Sequence, residues 1–208
     1  MKYLPLALVW ILWCALHSLL ISPGVTGFLK RRLGDRYRFT RIAFNAFAVL
    51  SLLPVVGYSH TLTGEPFFRW DGIWRPLQAV MLASSLWLFA AGARAYDLRQ
   101  TLGLRQIAEH ESARGITRSG EIGTAGILGW VRHPWYSGAI LLLWARTIDP
   151  AALVANAVLT VYLLIGTFLE ERKLIAEFGD EYVKYRRKVP MLIPRLQSRS
   201  GKRRKDST

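Results

Sequence analysis

Two apolar runs joined by a very short link constrain the fold of this chain more than any other feature of its sequence. The runs cover residues 136–144 and 151–168, and the link between them includes residues 148–151. In lipid, a helix satisfies its backbone hydrogen bonds internally and packs side by side with its neighbour. The two runs therefore predict an antiparallel helical hairpin, with the start of the first helix and the end of the second at the same membrane face.

The predicted hairpin brings together five polar side chains that are far apart in sequence. Arg132, His133 and Tyr136 lie at the start of the first helix, and Glu170 and Glu171 lie at the end of the second. Taken alone, Arg132 and His133 would suit an anchor at the lipid headgroups, and Glu171 would suit a pair with an adjacent cation or contact with water. A cation, an imidazole, a phenol and two carboxylates at one interface exceed what anchoring requires, and they predict a binding site.

Apolar content and charge together indicate a membrane protein. Apolar residues make up 51% of the 208 residues, while 28 Lys and Arg stand against 14 Asp and Glu, for a net charge of +14. Basic cytoplasmic loops in a membrane protein explain both observations. We therefore expect the charge to reflect topology and contact with anionic lipid, and we expect no nucleic-acid partner. Cys14 is the single cysteine, which excludes a disulfide or a cysteine-rich zinc site within the chain.

Hydropathy predicts an all-α integral membrane helical bundle of about five transmembrane helices. The first apolar run is interpreted as a retained helix and not as a signal peptide, because it is too long and no small-residue cleavage pattern follows it. His17 within it is interpreted as a buried histidine facing another helix, although an ionisable group inside a membrane also raises a functional question. The predicted spans are residues 4–22, 42–59, 77–96, 134–148 and 151–168, and the fourth is short for a bilayer.

Polar segments assign the helix ends to the two sides of the membrane. Residues 30–41 form a basic loop. Residues 97–131 form a polar segment, whose first part predicts a short amphipathic helix on the membrane and whose second part is a glycine-rich loop able to approach a ligand closely. Since basic loops favour the cytoplasm, the amino terminus is predicted outside and the carboxyl terminus inside.

The carboxyl-terminal part continues beyond the last span. Apolar residues recur at steps of three and four over residues 175–189, which predicts an amphipathic interfacial helix that bends near Gly179 and ends at Pro190. Residues 196–208 are rich in charge and poor in apolar side chains, and they are predicted to be a disordered basic tail that touches membrane lipids. We expect residues 1–195 to form one integral membrane domain, with its core motif region at residues 115–195.

The chemistry of the predicted site suits a ligand that carries a cation. Carboxylates attract a positive centre, and aromatic rings such as Tyr136, Trp130 and Trp135 add cation–π attraction. Arg132 can hold a carboxylate by paired hydrogen bonds, and the glycine-rich loop exposes backbone donors and acceptors. S-adenosylmethionine combines a positive centre, a carboxylate and a flat ring, although dinucleotides and lipids share some of these features.

Two motifs carry a resemblance to a known superfamily. Residues 126–138 read GILGWVRHPWYSG, and residues 170–194 read EERKLIAEFGDEYVKYRRKVPMLIP. Their Arg-His-Pro-x-Tyr-x-Gly and Glu-Glu patterns, followed by Phe-Gly-x-x-Tyr-x-x-Tyr, resemble the carboxyl-terminal half of the isoprenylcysteine carboxyl methyltransferase and phospholipid methyltransferase superfamily. Those are membrane enzymes that use S-adenosylmethionine. The first half of the chain resembles bacterial branches more loosely, including methanethiol S-methyltransferases and the NnrU-like membrane proteins of denitrifying bacteria.

The resemblance implies which residues contact the cofactor. It also marks two departures: Leu128 stands where many members carry Tyr, and Gly166 stands where prenylcysteine enzymes carry an Arg that engages the substrate carboxylate. The second departure favours a small thiol or a neutral lipid acceptor over a carboxylate. The implied cofactor-binding residues are His133, Pro134, Tyr136 and Glu170, with the backbone at Glu121, Ile122 and Gly123 and the position of Leu128 lining the same pocket.

The resulting expectation is an integral membrane S-adenosylmethionine-dependent methyltransferase in a bacterial inner membrane, with its carboxyl terminus in the cytoplasm. Its acceptor would be a small thiol, a prenylated cysteine or a lipid. No catalytic base, substrate contact or metal is assigned, and the oligomeric state stays open. Two alternatives are kept: an NADPH-dependent membrane reductase of the sterol or steroid type, whose carboxyl end has a similar His-Pro-x-Tyr appearance, and a non-catalytic NnrU-like membrane protein.

Overall fold

The predicted all-α fold class is confirmed. The computed structural model describes residues 2–109 and 126–194, and in these two ranges the chain forms α-helices, short 3-10 turns and loops, without a β-strand longer than an isolated bridge. The predicted basic tail, residues 196–208, and most of the glycine-rich loop lie outside the described residues. The helices are α1 (Tyr3–Leu20), α2 (Pro23–Leu33), α3 (Thr40–Thr61), α4 (Arg75–Ala95), α5 (Leu98–Leu102), α6 (Leu104–Glu109), α7 (Pro134–Trp144), α8 (Pro150–Phe178) and α9 (Asp180–Lys188).

The helices have the length and hydropathy of an integral membrane protein. Four segments of the described chain are long and apolar enough to cross a membrane, namely Tyr3–Leu20, Pro23–Thr61, Gly72–Ala95 and Pro150–Phe178. The predicted fourth span is the helix α7, which has only 11 residues. At about 1.5 Å per residue, α7 covers roughly half of a hydrocarbon core of about 30 Å. The bundle thus consists of four long helical segments with a half-length helix packed among them.

The antiparallel hairpin of α7 and α8 is present. Asp149 caps the start of α8, since its side chain accepts a hydrogen bond of 2.8 Å from the backbone N–H of Ala152. Farther along, the Asn156 amide donates to the carbonyl of Leu143 at 2.9 Å. The carbonyl and N–H of Ile148 pair with the backbone of Phe68, which attaches the loop after α3 to the link of the hairpin. These contacts fix the direction of both helices.

The other long helices continue this up-and-down arrangement. Tyr3 and Pro150 both lie beside Gly64, and His17 is hydrogen-bonded to Tyr162 at 2.7 Å, so α1 and α8 run parallel. The helix α3 runs opposite to α1, because Trp10 near the start of α1 donates to Ser59 near the end of α3. All the helix ends that carry basic segments therefore meet at one end of the bundle, which we call the basic end. It comprises the end of α1, α2, the end of α4, the start of α7, the end of α8 and α9.

Close packing on α4 fixes the start of α7. Trp135 donates its indole N–H to the carbonyl of Phe89 at 3.1 Å, and a Cβ added at Gly92 would lie 2.5 Å from the same indole ring. One turn along, the Ser85 hydroxyl donates to the carbonyl of Gly138 at 2.8 Å. Because Gly92 has no side chain, the large indole ring lies directly on the α4 backbone, and α7 is held in one position.

The basic end contains more helix than the sequence indicated. The prediction of a loop over residues 30–41 is wrong, because α2 ends at Leu33 and a 3-10 turn runs from Gly34 to Phe39. The sequence signal for the start of α2 was present in Ser22. Its side chain accepts a hydrogen bond from the N–H of Val25 and caps α2. A serine cap followed by proline is a common helix start.

Two glycines divide the predicted amphipathic helices. Gly103, with φ +89°, separates α5 from α6. Gly179, with φ +58°, ends α8 and begins α9, so the predicted bend at this position is confirmed. The last long helix continues past residue 168 to Phe178, because the polar stretch that follows the apolar run is helical as well.

Candidate functional site

The Arg-His-Pro segment at the start of α7 is held by the chain that follows α9. The backbone N–H of Arg132 donates to the carbonyl of Pro190 at 3.0 Å, and that of His133 donates to the carbonyl of Met191 at 3.1 Å. The Ser137 hydroxyl adds a bond of 2.8 Å to the carbonyl of Leu192. We call residues 190–192 the carboxyl-terminal strap. The sequence did not reveal this pairing, because two short irregular segments leave no periodic signal.

Glu171 is the centre of a buried ionic cluster. Its side chain is 4% exposed, and it accepts a hydrogen bond of 2.7 Å from Nε of Arg132. Nε2 of His133 lies 3.3 Å from the same carboxylate, and Nε of Arg186 lies 3.4 Å from its other oxygen. The alternatives in which Glu171 pairs only with an adjacent cation or faces water are therefore wrong. Its charge is already balanced within the protein.

Arg132 joins this cluster to the end of α9. Its guanidinium, whose side chain is 8% exposed, also donates to the carbonyls of Arg186 and Val189. A buried guanidinium requires both a counter-charge and acceptors for its remaining N–H groups. Glu171 supplies the first and the end of α9 supplies the second. Arg132 is thus a structural link between α7, α8 and α9, and not a headgroup anchor.

Glu170 differs from its neighbour in exposure and in partners. It keeps 22% of its side chain exposed, and its Oε2 atom lies 3.8 Å from Nδ1 of His133. Tyr136 lies beside it, close enough for the two groups to interact electrostatically. Unlike Glu171, Glu170 forms no ion pair with an Arg or Lys of the described chain. Its negative charge is therefore available to a cationic ligand.

His133 bridges the two glutamates. Its side chain is 2% exposed, with Nδ1 towards Glu170 and Nε2 towards Glu171. The ring of Tyr136 lies edge-on to the imidazole, with 5.6 Å between the ring centres. Pro134 follows as the first residue of α7 and is fully buried. His133 is therefore suited to orient the two glutamates. It is too enclosed for a large ligand to contact both of its nitrogens.

Tyr136 occupies the space beside Gly166. A Cβ added at Gly166 would lie 3.3 Å from Cε1 and 3.6 Å from the hydroxyl oxygen of Tyr136. An arginine at this position would have to displace the Tyr136 ring. Because Tyr136 is only partly buried, its ring forms part of the accessible wall next to Glu170.

Tyr185 attaches α9 to the short turn before α7. Its hydroxyl donates to the carbonyl of Leu128 at 2.6 Å. Burial raises the pKa of Tyr185 to about 12, so the phenol keeps the proton that this bond requires. The Leu128 side chain is buried in a hydrophobic cluster with Leu88 and Val131. Leu128 therefore supports the site from behind in this structure, through packing and through its carbonyl.

The structure brings four of the implied cofactor residues together, His133, Pro134, Tyr136 and Glu170. Glu121, Ile122 and Gly123 lie outside the described residues. Trp135 packs on α4, and Trp130 is 63% exposed. These two rings therefore do not lie with Tyr136 beside Glu170. Sequence reasoning missed the carboxyl-terminal strap and also Arg186, for which the basic run on α9 was the signal.

Comparisons with known proteins agree with the motifs. The family model described as NnrU protein matches residues 5–171. Methanethiol S-methyltransferase 1 of Bradyrhizobium diazoefficiens is 41% identical over 96 residues, which are 46% of this chain and 33% of the relative. The methanethiol S-methyltransferase of Crocosphaera subtropica is 39% identical over 99 residues, 47% of this chain and 38% of the relative.

A more distant similarity reaches the eukaryotic branch. The protein-S-isoprenylcysteine O-methyltransferase of Schizosaccharomyces pombe is 39% identical over 79 residues, which are 34% of this chain and 32% of the relative. The chain thus spans about a third of the length of these curated relatives. No solved structure matches the chain significantly.

Proposed function

This chain belongs to the NnrU family, and from that premise we propose that it is an integral membrane methyltransferase that uses S-adenosylmethionine to methylate a small thiol. One observation carries the proposal. Of two adjacent glutamates, Glu171 is neutralised by Arg132 and Arg186, while Glu170 stays partly exposed beside His133 and Tyr136. A partly exposed carboxylate that pairs with no Arg or Lys of the described chain, next to an aromatic ring, is suited to bind a positively charged ligand.

The residues present fit the proposed cofactor by their chemistry. A sulfonium centre is a cation that cannot donate a hydrogen bond, so a carboxylate and the ring of Tyr136 are the groups that would attract it. Both have partly exposed side chains. When bound, S-adenosylmethionine supplies a methyl group on a leaving group that its own charge has already activated.

The protein's part in such a reaction is mainly to bind and to orient. Glu170 would hold the positive centre, and His133 would hold Glu170 through its Nδ1 atom, with its other nitrogen fixed by Glu171. The carboxyl-terminal strap fixes the backbone of the same histidine. Holding reactants in a productive geometry lowers the barrier to a bimolecular step, and this site is tied at several points to rigid helices.

Two observations support a small thiol as the acceptor. Gly166 carries no side chain that could engage a carboxylate, and the ring of Tyr136 fills the adjacent space. The two bacterial relatives, which match over 96 and 99 residues, are named for methanethiol, and the relative with the shorter match of 79 residues is named for isoprenylcysteine. A small neutral thiol needs neither a cation nor a long groove, and it partitions readily into an apolar bundle.

Cofactor binding to the purified protein tests the proposal. We expect labelled S-adenosylmethionine to bind the wild-type protein in detergent and to transfer its methyl group to a small alkyl thiol. The variant Glu170→Gln should bind the cofactor about tenfold more weakly, or about 1.4 kcal/mol, because the amide carries no charge.

The matched control is Glu181→Gln on the exposed side of α9, which should bind as the wild type does. Equal affinity of Glu170→Gln and wild type would contradict the site. Binding of NADPH instead would support the reductase alternative, and binding of neither ligand would support a non-catalytic role.

A further inference from the structure

A second polar cluster lies deeper in the bundle, where α1 and α8 are in contact. Nδ1 of His17 and the hydroxyl of Tyr162 are 2.7 Å apart, and the Ser18 hydroxyl donates to the same tyrosine oxygen at 3.3 Å. Trp13 and Phe44 pack against the imidazole, with ring centres 5.2 and 4.9 Å away. A histidine and a tyrosine in apolar surroundings are costly to place, and the cofactor site does not use them.

The register of α8 connects this cluster to the cofactor site. Tyr162, Gly166 and Glu170 are four residues apart and therefore lie on one face of the helix, about 12 Å from first to last. All three are partly exposed, whereas Thr167 and Glu171 on the adjacent face are buried. Tyr136 covers the middle position, Gly166, and it also interacts electrostatically with Tyr162. Partly exposed residues thus lie one above another from Glu170 past Tyr136 to Tyr162.

The hydrogen-bond partners of Tyr162 suit a proton acceptor. The Ser18 hydroxyl donates to Tyr162, and the 2.7 Å contact allows the tautomer in which the phenolic proton lies towards Nδ1 of His17 and the imidazole's own proton is on Nε2. The phenol oxygen keeps a second acceptor position. Tyr162 can therefore accept a hydrogen bond from an S–H group while it passes its own proton to His17.

We propose that Tyr162 and His17 form the acceptor end of the site and receive the proton of the thiol. The inference rests on the proposed function, because a thiol reacts as its thiolate. The thiol gives its proton to the Tyr162 oxygen as the Tyr162 proton moves to Nδ1 of His17. The thiol sulfur forms a bond to the methyl group with its freed electron pair, and the bond between that methyl and the donor sulfur breaks, leaving its pair on a neutral thioether. The positive charge ends on the His17 imidazolium, which later releases the proton to water.

Tyr162 touches the acceptor in this arrangement and is a catalytic residue, whereas His17 acts through Tyr162 and is a positioning residue. The simpler account is that their hydrogen bond only attaches α1 to α8. The two accounts predict different methylation rates for a thiol that needs no base. An aryl thiol such as nitrothiophenol is already a thiolate at neutral pH, so its methylation should be independent of the pair.

The experiment compares an alkyl thiol with nitrothiophenol in wild type, Tyr162→Phe and the matched control Tyr58→Phe, which removes a hydroxyl from the exposed side of α3. We expect Tyr162→Phe to bind labelled S-adenosylmethionine normally and to methylate nitrothiophenol within a few-fold of wild type. Its rate with the alkyl thiol should fall about a hundredfold or more, the usual range for a lost proton acceptor. Tyr58→Phe should change neither rate.

A second measurement needs no cofactor. Nitrogen-15 NMR of imidazole-labelled protein should show the His17 signal shift when butanethiol is added to the wild type but not to Tyr162→Phe; the spectrum of His17→Gln identifies that signal among the four histidines. If Tyr162→Phe does not fold, His17→Gln gives the same thiol comparison, with an expected loss confined to the alkyl thiol. Equal losses for both thiols, or no loss, with cofactor binding retained would overturn this inference alone. A wild-type protein that binds no S-adenosylmethionine would overturn the proposed function instead.

Discussion

Glu170 and Glu171 show how two identical neighbouring residues take different roles. Successive residues on a helix point about 100° apart, so one of the pair faces the buried Arg132 and the other faces the accessible surface. The sequence predicted that both would meet Arg132, His133 and Tyr136, since the hairpin alone requires it. It did not predict which glutamate would be buried, because the orientation of α8 depends on packing with α1 and α7.

The buried ion pair of Arg132 and Glu171 should dominate the stability of this region. Glu171→Gln keeps the size of the side chain but leaves the guanidinium without a counter-charge. We expect the free energy of unfolding to fall by on the order of 3 kcal/mol, which is the lower end of the range for removing one partner of a buried pair. The lower end applies because the carbonyls of Arg186 and Val189 still accept hydrogen bonds from Arg132. Denaturation in detergent, followed by tryptophan fluorescence, measures the change.

The exposed Glu181→Gln serves as the control here as well and should change stability by less than about 0.5 kcal/mol. Similar midpoints for Glu171→Gln and Glu181→Gln would show that the buried cluster does not hold the fold.

Gly179 determines how the element α9 meets the rest of the bundle. Its φ of +58° and ψ of −134° lie in a region that side chains make very costly. The change of direction there carries Arg186 and Tyr185 back to Glu171 and to the carbonyl of Leu128. The sequence predicted this bend because a glycine interrupts a periodic apolar pattern. It could not predict the carboxyl-terminal strap, whose contacts are made by backbone atoms and do not depend on side-chain type.

Gly179→Ala should weaken both the fold and the site. The strained backbone costs about 1–3 kcal/mol, and any relaxation moves α9 away from Glu171. We expect a lower denaturation midpoint and weaker binding of S-adenosylmethionine. Gly57→Ala on α3 is the matched control, since a Cβ there meets nothing within 4 Å and the backbone is helical. A Gly179→Ala protein as stable as Gly57→Ala would show that α9 does not depend on this turn.

The whole molecule has one basic end and one nearly neutral end. Among the described residues, the basic residues of α2, α5, α9 and the end of α4 all lie at the end of the bundle that holds Glu170 and Glu171, as expected for segments on one side of the membrane. The opposite end carries cations and anions in similar number: Lys2, Arg69, Arg75 and Arg146 with Glu65, Asp71 and Asp149. Hydropathy and charge were sufficient to predict which segments share an end of the bundle, because the bilayer allows few other arrangements of the helices.

Cysteine labelling in intact cells tests the orientation. In a background of Cys14→Ala, which removes the single cysteine, we expect Glu65→Cys to react with a membrane-impermeant maleimide from outside. Lys184→Cys on α9 should react only after the membrane is permeabilised, because positive loops stay in the cytoplasm. Both positions are exposed. The reverse pattern would place the site on the outer side, away from cytoplasmic S-adenosylmethionine.

The carboxyl-terminal strap also sets when the Arg-His-Pro segment can become fixed during synthesis. A chain is made from its amino end, so α1 to α8 have all been synthesised before Pro190, Met191 and Leu192 are added. Only then do Arg132 and His133 gain the backbone partners that fix them. A chain that stops before these three residues would therefore contain every long helix and still lack the backbone contacts that hold the Arg-His-Pro segment.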